Sequence, residues 1–264
     1  RWCDPLETFE FDGKKYKLAS SHQKEWGNTL ISELSLKGNE RILDLGCGDG
    51  VLTEQLSFVV PAGKVLGIDA SRGMIETAKG IMRDNVEFQQ MDINEINYRN
   101  EFDIFFSNAA LHWVKDHERL LQNAYRALKR EGILLWDFGG AGNCSNFIDV
   151  VRRKIRDGKF AGYFSNFEWP WFMPSKSQYE ELIASIGFSN VSIMEVNRDR
   201  YFSNEEELIR WIDQTCIVPF LASVPDEVKA GFRDEVIAEM IKRTRQPNGT
   251  YFETFRRLKV YAER

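Results

Sequence analysis

The sequence predicts an α/β fold: a doubly wound, mostly parallel sheet of seven strands with helices on both faces. Three observations predict it. Short apolar stretches alternate with helical periodicity from Arg41 to Phe138. The first stretch runs into three glycines at alternate positions, Gly46, Gly48 and Gly50. An acid, Asp69, closes the second stretch, nineteen residues after Gly50. Strands and helices in alternation imply βαβ units and a parallel sheet.

Taken in order, "RILDL" (41–45) is the first strand and "VLTEQLSFV" (51–59) the helix after the glycine turn. "KVLGID" (64–69) is the second strand, followed by a helix from Ser71 to about Met82. "VEFQQMD" (86–92) and "FDIFFSN" (102–108) are the third and fourth strands. A helix over His117–Lys129 leads to the fifth, "GILLWDF" (132–138). After Gly139 the rhythm breaks. A glycine-rich loop precedes a helix over Phe147–Arg156, and "KFAGYFSNFEWPWFMP" (159–174) is too aromatic and proline-interrupted for regular structure. "SKSQYEELIASIGF" (175–188) has a serine cap and a helical stripe stopped by Gly187. "VSIMEVNRD" (191–199) is the sixth strand. Residues 204–243 read as helical with a break at Val218–Pro219, and "TYFETFRRLKVYAE" (250–263) is the last strand. The domain reading is an N-terminal lid segment (1–39), a core (40–203), a helical insertion (204–249) and a closing strand (250–264).

The totals narrow the function. A chain of 264 residues can bury enough surface to fold without disulfides or metals. A net charge of −5 argues against a generic nucleic-acid or membrane-surface binder. The four cysteines, Cys3, Cys47, Cys144 and Cys216, form no CxxC pair and have no histidine at zinc-ligand spacing. They predict reduced thiols, a cytoplasmic location and no metal. No apolar run is long enough to span a bilayer and no secretory signal is visible.

The glycines carry the functional argument. In open parallel sheets, ligands sit at the carboxyl ends of strands where the winding reverses. Glycines there let backbone approach a ligand closely. An acid about twenty residues on accepts hydrogen bonds from ribose hydroxyls. Dinucleotide sites use GxGxxG; here the spacing is GxGxG with Asp44 before it and Asp49 within it. Carboxylates would repel a pyrophosphate and suit a cationic ligand, which points to S-adenosylmethionine.

"ILDLGCGDG" (42–50) resembles the first motif of class I S-adenosylmethionine-dependent methyltransferases. "GIDASRGMIETAK" (67–79), "FQQMDI" (88–93), "FDIFFSNAALHWVKDHERLLQNAYRALKREGILLW" (102–136), "FMPSKSQYEELIASIGF" (172–188) and the tail from "WIDQTCIVPFLASVP" to "RLKVYAER" resemble the trans-aconitate methyltransferase-like branch. The resemblance implies a Rossmann-like core with a helical lid inserted before the last strand. It implies S-adenosyl-L-methionine as cofactor and S-adenosyl-L-homocysteine as product. Carried over residue by residue, Gly46 and Gly48 line the methionine moiety and Asp44 lies near its ammonium group. Asp69 holds the ribose hydroxyls, Ala70 and Met74 flank the adenine, and Asp92 receives its amino group with Ile93 beside the ring. Asn108 and Ala109 approach the methionine moiety and sulfonium, and Tyr16, Gln23 and Trp26 belong to the N-terminal lid that closes over the cofactor.

The substrate side rests on thinner signals. Trp113, Trp171 and Trp211 are candidate walls of a substrate pocket and equally candidate core residues. Arg256 or Arg257 is a solvated strand edge or the partner of an acidic substrate. Methyl transfer by in-line displacement asks the protein for position and exclusion of water. A carboxylate acceptor needs no base. A phenol, amine or carbon acid does, and His112 is then the candidate. The expected function is methyl transfer to a small molecule, a carboxylate foremost. The alternatives are an N, C or phenol-type acceptor, and a non-catalytic S-adenosylmethionine-binding subunit. "SNAALHW" stands where nucleic-acid modifiers of this fold carry an Asn/Asp-Pro-Pro-aromatic motif, so no nucleic acid is expected as substrate. The expected assembly is a monomer or weak homodimer.

Overall fold

A computed structural model describes residues 21–264. Its centre is a seven-stranded sheet. In chain order the elements are α1 (Ser21–Ser32), β1 (Arg41–Leu45), α2 (Val51–Val59), β2 (Lys64–Asp69), α3 (Arg72–Ala78), β3 (Val86–Gln90), β4 (Phe102–Asn108), α4 (His117–Ala127) and β5 (Leu128–Gly139). Then follow α5 (Ser145–Lys154), α6 (Lys176–Ala184), β6 (Ser189–Asn197), β7 (Arg200–Phe202), α7 (Glu205–Trp211), a π-helical turn (Ile212–Cys216), α8 (Val218–Ala222), α9 (Asp226–Thr244), β8 (Tyr251–Glu253) and β9 (Arg256–Glu263).

The strand order is β3-β2-β1-β4-β5-β9-β6, and β7 pairs with β8 in a separate ribbon. β1 to β5 are mutually parallel, whereas β9 runs antiparallel between β5 and β6. The winding reverses between β1 and β4, where Asp44 stands opposite Phe106. That is where a ligand crevice is expected.

The period of two along each strand explains the apolar runs. Ile42, Ile104, Phe106 and Leu135 point to one face, where α1 and α2 pack through Leu30, Ile31 and Leu56. Leu43, Phe105, Leu134 and Trp136 point to the other, covered by α4 and α6 through Leu120, Ala124, Tyr179 and Ile183. Each large side chain so buried contributes about 1.5–3 kcal/mol. Helix α6 starts with a complete capping box. The Ser175 hydroxyl accepts from the Gln178 N–H, and the Gln178 side chain accepts from the Ser175 N–H.

Several boundaries differ from the sequence reading, three of them with a structural consequence. The helix after β2 ends at Ala78 rather than near Met82. Helix α4 stops at Ala127, because Leu128 already enters β5 opposite Phe102. The closing segment splits in two. Glu253 is fully buried and its carboxylate accepts the N–H groups of Asn146 (3.0 Å) and Phe147 (2.9 Å) at the start of α5. A carboxylate is favoured at a helix N-terminus, and the chain turns at Thr254–Phe255 between that contact and β9.

A third apolar cluster lies beyond the carboxyl ends of the strands. It joins α5, the 160–173 segment, α7, the π-helical turn, α8 and α9 through Phe147, Phe160, Trp171, Trp211, Phe220 and Phe232. The aromatic segment is therefore partly core of this helical layer. It hangs on the loop after β4 by a bond from the Phe172 N–H to the His112 carbonyl (2.8 Å).

Candidate active site

One cavity of about 790 Å³ lies between the carboxyl ends of the strands and the helical layer. That is within the usual range for ligand sites. Its sheet end is built from the β1–α2 loop, the ends of β2 and β3, and the end of β4.

The three glycines answer to three different demands. At Gly46, with φ +69°, a Cβ would stand 2.2 Å from the Cβ of Ala110. At Gly50 it would meet the Phe88 ring at 2.7 Å and Ala78 at 2.9 Å, so that glycine serves packing. At Gly48, φ +55°, no atom lies within 4 Å of the Cβ position, and the residue lines the cavity. It presents bare backbone to whatever occupies the space.

Asp69 is fixed by the backbone it faces. Its Oδ2 accepts from the Gly48 N–H (3.0 Å) and its Oδ1 from the Ser71 N–H (2.9 Å). Asp69 itself lines the cavity. Asp92 Oδ1 accepts from the backbone and side-chain N–H groups of Asn94 (2.8 and 2.9 Å), capping a 3₁₀ turn that starts at Ile93. Ala70, Met74 and Ile93 line the same end. Asn108 donates through Nδ2 to the Gln23 carbonyl on α1 (2.9 Å), while its Oδ1 is buried without a partner among the described residues. Ala109 has φ +61°, which turns the chain sharply out of β4. Gln23, Asn108 and Ala109 all line the cavity. Tyr16 lies outside the described residues.

Asp44 stands elsewhere than the sequence reading put it, whereas Asp49 lies in the glycine loop as read. Asp44 is absent from the cavity wall; it is 2% exposed and accepts from the Thr53 hydroxyl on α2 at 2.7 Å. Burial pushes its pKa up to about 7, the Thr53 bond opposes this, and Asp69 adds to it. It braces the glycine loop from below. Asp49 is held by Lys24 of α1 (2.7 Å). Cys47 is buried, and burial first, then the charges of Asp69 and Asp44, push its thiol pKa up, which disfavours the reactive thiolate. Trp26 is not on the wall either. It packs edge-on to Phe255 (5.5 Å), with Arg198 and Arg257 over its ring at 5.3 and 5.5 Å.

The other end of the cavity is aromatic. Trp113, Trp171 and Trp211 all line it. Trp113 and Trp171 meet edge-to-face at 5.6 Å, and Trp171 does the same with Phe220 at 5.7 Å. The Trp171 indole N–H and Asn143 Oδ1 are buried without partners among the described residues. Arg257, 3% exposed, comes from β9. Its Nε donates to Asp137 Oδ1 (2.7 Å) and its Nη2 to the Asp137 carbonyl (3.1 Å). Arg198 stands 3.6 Å from the other oxygen of Asp137. Arg257 was one of two candidates in the sequence; Arg256 instead pairs with Asp199 on the sheet edge.

His112 reaches the cavity, but the role of general base does not suit it. Burial, then Arg257 and His117, push its pKa down to about 3. A group titrating that low stays neutral at pH 7 and takes up protons poorly. Its Nδ1 lies 3.5 Å from the Gly139 N–H, which leaves Nε2 as the N–H donor. His117, which the sequence reading passed over, is a brace. Its Nε2 donates to the Leu111 carbonyl (2.9 Å) and its Nδ1 accepts from the Tyr179 hydroxyl (3.0 Å).

Known proteins agree with this architecture. Residues 36–153 match the family model described as a methyltransferase domain. The fold, the glycine loop and this match together support an S-adenosylmethionine-dependent methyltransferase. Within that class it is similar to a trans-aconitate 2-methyltransferase of Deinococcus radiodurans, 29% identical over 74% of this chain and 76% of the other. An uncharacterised methyltransferase of Schizosaccharomyces pombe is 27% identical over 96% of this chain and 98% of its own length. Among solved structures, a Haemonchus contortus phosphoethanolamine N-methyltransferase bound to phosphomonomethylethanolamine and S-adenosylhomocysteine superposes with a TM-score of 0.61. It is 19% identical and covers 96% of this chain and 56% of that one.

Proposed function

We propose that the protein transfers a methyl group from S-adenosylmethionine to a carboxylate oxygen of a small acid. The observation that carries the proposal is the cavity's layout. Cofactor-type groups line its sheet end, and one buried arginine, Arg257, stands at its aromatic end.

The residues present fit the cofactor. Gly48 leaves the space open, Asp69 offers acceptors for ribose hydroxyls, and the Asp92 carboxylate offers one for an amino group. Ala70, Met74 and Ile93 supply apolar walls for a flat ring. Gly46, Gln23, Asn108 and Ala109 surround the methionine part, and the unpartnered Asn108 Oδ1 is an acceptor at that point. The bound cofactor supplies an activated methyl group. The chain's part is position and dryness.

Arg257 holds the acceptor's carboxylate. Asp137 occupies its Nε and Nη2, and Nη1 has no acceptor among the described residues. Arg198 offsets part of the Asp137 charge, so Arg257 keeps positive character toward the cavity. A carboxylate is already a nucleophile at neutral pH and needs no proton acceptor. That agrees with a histidine held neutral, able to donate through Nε2 to the acceptor. The helical layer of α5 and α7 to α9, with the segment 160–173, acts as the lid that excludes water. Similarity to a relative named for trans-aconitate supports an acidic acceptor.

The test is a methyl-ester assay with a panel of carboxylic acids, read by mass spectrometry, on wild type, Arg257→Lys and Arg257→Gln. Ester formation that falls at least tenfold in Arg257→Gln and is partly kept in Arg257→Lys supports the assignment. Methylated amines or phenols with no ester would contradict it.

A further inference from the structure

The charge around the acceptor end of the cavity constrains which acid it takes. Among the described residues, only two cations line the cavity, Lys115 and Arg257. Lys115 is 46% exposed and tied to Glu168 at 2.8 Å. Arg257 is the one buried cation, and it already shares Asp137. Four acids, Asp69, Asp92, Asp116 and Glu168, line the same cavity. A molecule with two or three carboxylates would leave at least one of them out of water without a buried cation. Taking an unpaired carboxylate out of water is among the most unfavourable steps in binding.

The remaining surface suits a different shape. Trp113, Phe167, Trp171, Trp211, Phe255 and Met173 line this end. Flat, apolar walls reward contact with an apolar body, not with further charge. Only two buried polar atoms there lack partners among the described residues, the Trp171 N–H, a donor, and Asn143 Oδ1, an acceptor. Trp171 is 8% exposed and Asn143 4%, so each loses water's hydrogen bonds unless a ligand replaces them. A hydroxyl both donates and accepts, and can meet either atom.

From this we infer that the acceptor is a monocarboxylic acid with an aromatic or similarly flat apolar body, favoured when it carries one neutral hydroxyl. The inference rests on the carboxylate O-methylation proposed above and narrows its substrate class. It separates this chain from an enzyme for tricarboxylic acids, despite the similarity to a trans-aconitate methyltransferase.

The experiment compares kcat/KM for cinnamate, 4-hydroxycinnamate and indole-3-acetate with values for succinate, trans-aconitate and citrate. The readouts are the methyl ester by mass spectrometry and the release of S-adenosylhomocysteine. The aromatic monoacids should exceed the polyacids at least tenfold. Polyacids methylated tenfold better overturn this inference and leave O-methylation standing. Methylation of a non-acid alone overturns both. A second arm uses Trp171→Phe, which removes the indole N–H and keeps a flat ring. The preference for 4-hydroxycinnamate over cinnamate should fall about tenfold, the cost expected when a buried hydrogen-bond partner is lost. A ratio equal to that of wild type overturns the role given to Trp171.

Discussion

At the scale of single residues, the glycine loop separates two demands that the same residue type meets. A methyl group added at Gly46 collides with Ala110 and sits at φ +69°, so Gly46→Ala strains both backbone and packing. The expected loss is about 2 kcal/mol or more of stability, measured by chemical denaturation. Gly48→Ala meets no neighbour within 4 Å and bears only the left-handed strain, about 1 kcal/mol. Its main effect falls on cofactor affinity, read by titration. Equal stability losses in the two variants would contradict the division of roles. Asp69 was legible in the sequence because strand, turn and acid lie within thirty residues of one another. Arg257 was not singled out, because its partner Asp137 lies 120 positions away. The acid that looked most like a ligand, Asp44, is turned toward Thr53, and nothing local in "ILDLG" signals that choice.

The buried histidines set a second residue-scale expectation. His112 and His117 have pKa values pushed down to about 3 and about 4, chiefly by burial. The unfolded chain takes up protons on both below about pH 6.5, and the native state does not. Their contribution to stability is therefore complete above pH 6.5 and is lost as the pH falls toward 4. Asp44, raised to about 7, has the opposite sign: its contribution is present below about pH 4 and lost as the pH rises toward 7. The terms separate in a variant. The stability advantage of wild type over His117→Gln should shrink by about 2 kcal/mol between pH 7 and pH 5. A difference that stays constant with pH would show that His117 titrates normally.

At the scale of elements, termini decide what the chain does next. Ser175 and Gln178 start α6 by a local rule that the sequence displays, and Ser175→Ala should cost about 1 kcal/mol in denaturation. No change in stability would mean that packing alone fixes the helix start. The start of α5 follows no local rule. Its N–H groups are met by Glu253, more than a hundred residues later, so the sequence shows an acid in an alternating strand and not a cap. The same contact explains why one expected strand became β8 and β9. The break at Val218–Pro219 was legible, since proline at the first turn opens a new helix. The π-helical turn before it, which brings Thr215 and Cys216 to the cavity wall, has no comparable mark.

At the scale of the whole molecule, the sheet and the helical layer meet along a cavity, and the division of labour follows. The sheet and its covering helices fix the β1, β2 and β4 ends to which the cofactor is assigned. The helical layer supplies aromatic walls, and β9 of the sheet supplies Arg257, the one buried arginine or lysine among the described residues. The sheet was readable because its central strands β1 and β4 are largely buried and its turns carry glycine and acid at fixed distances. The layer was readable only as helical and aromatic, because its packing joins segments from Cys144 to Phe255. The account stands or falls on the sheet end. The most direct test is calorimetric titration of S-adenosylhomocysteine and S-adenosylmethionine into wild type, Asp69→Asn and Asp69→Ala. Micromolar binding by wild type, weakened in Asp69→Asn and at least tenfold weaker in Asp69→Ala while the variants remain folded, is the result expected. Equal affinity in all three, or no binding to folded wild type, would contradict the site described.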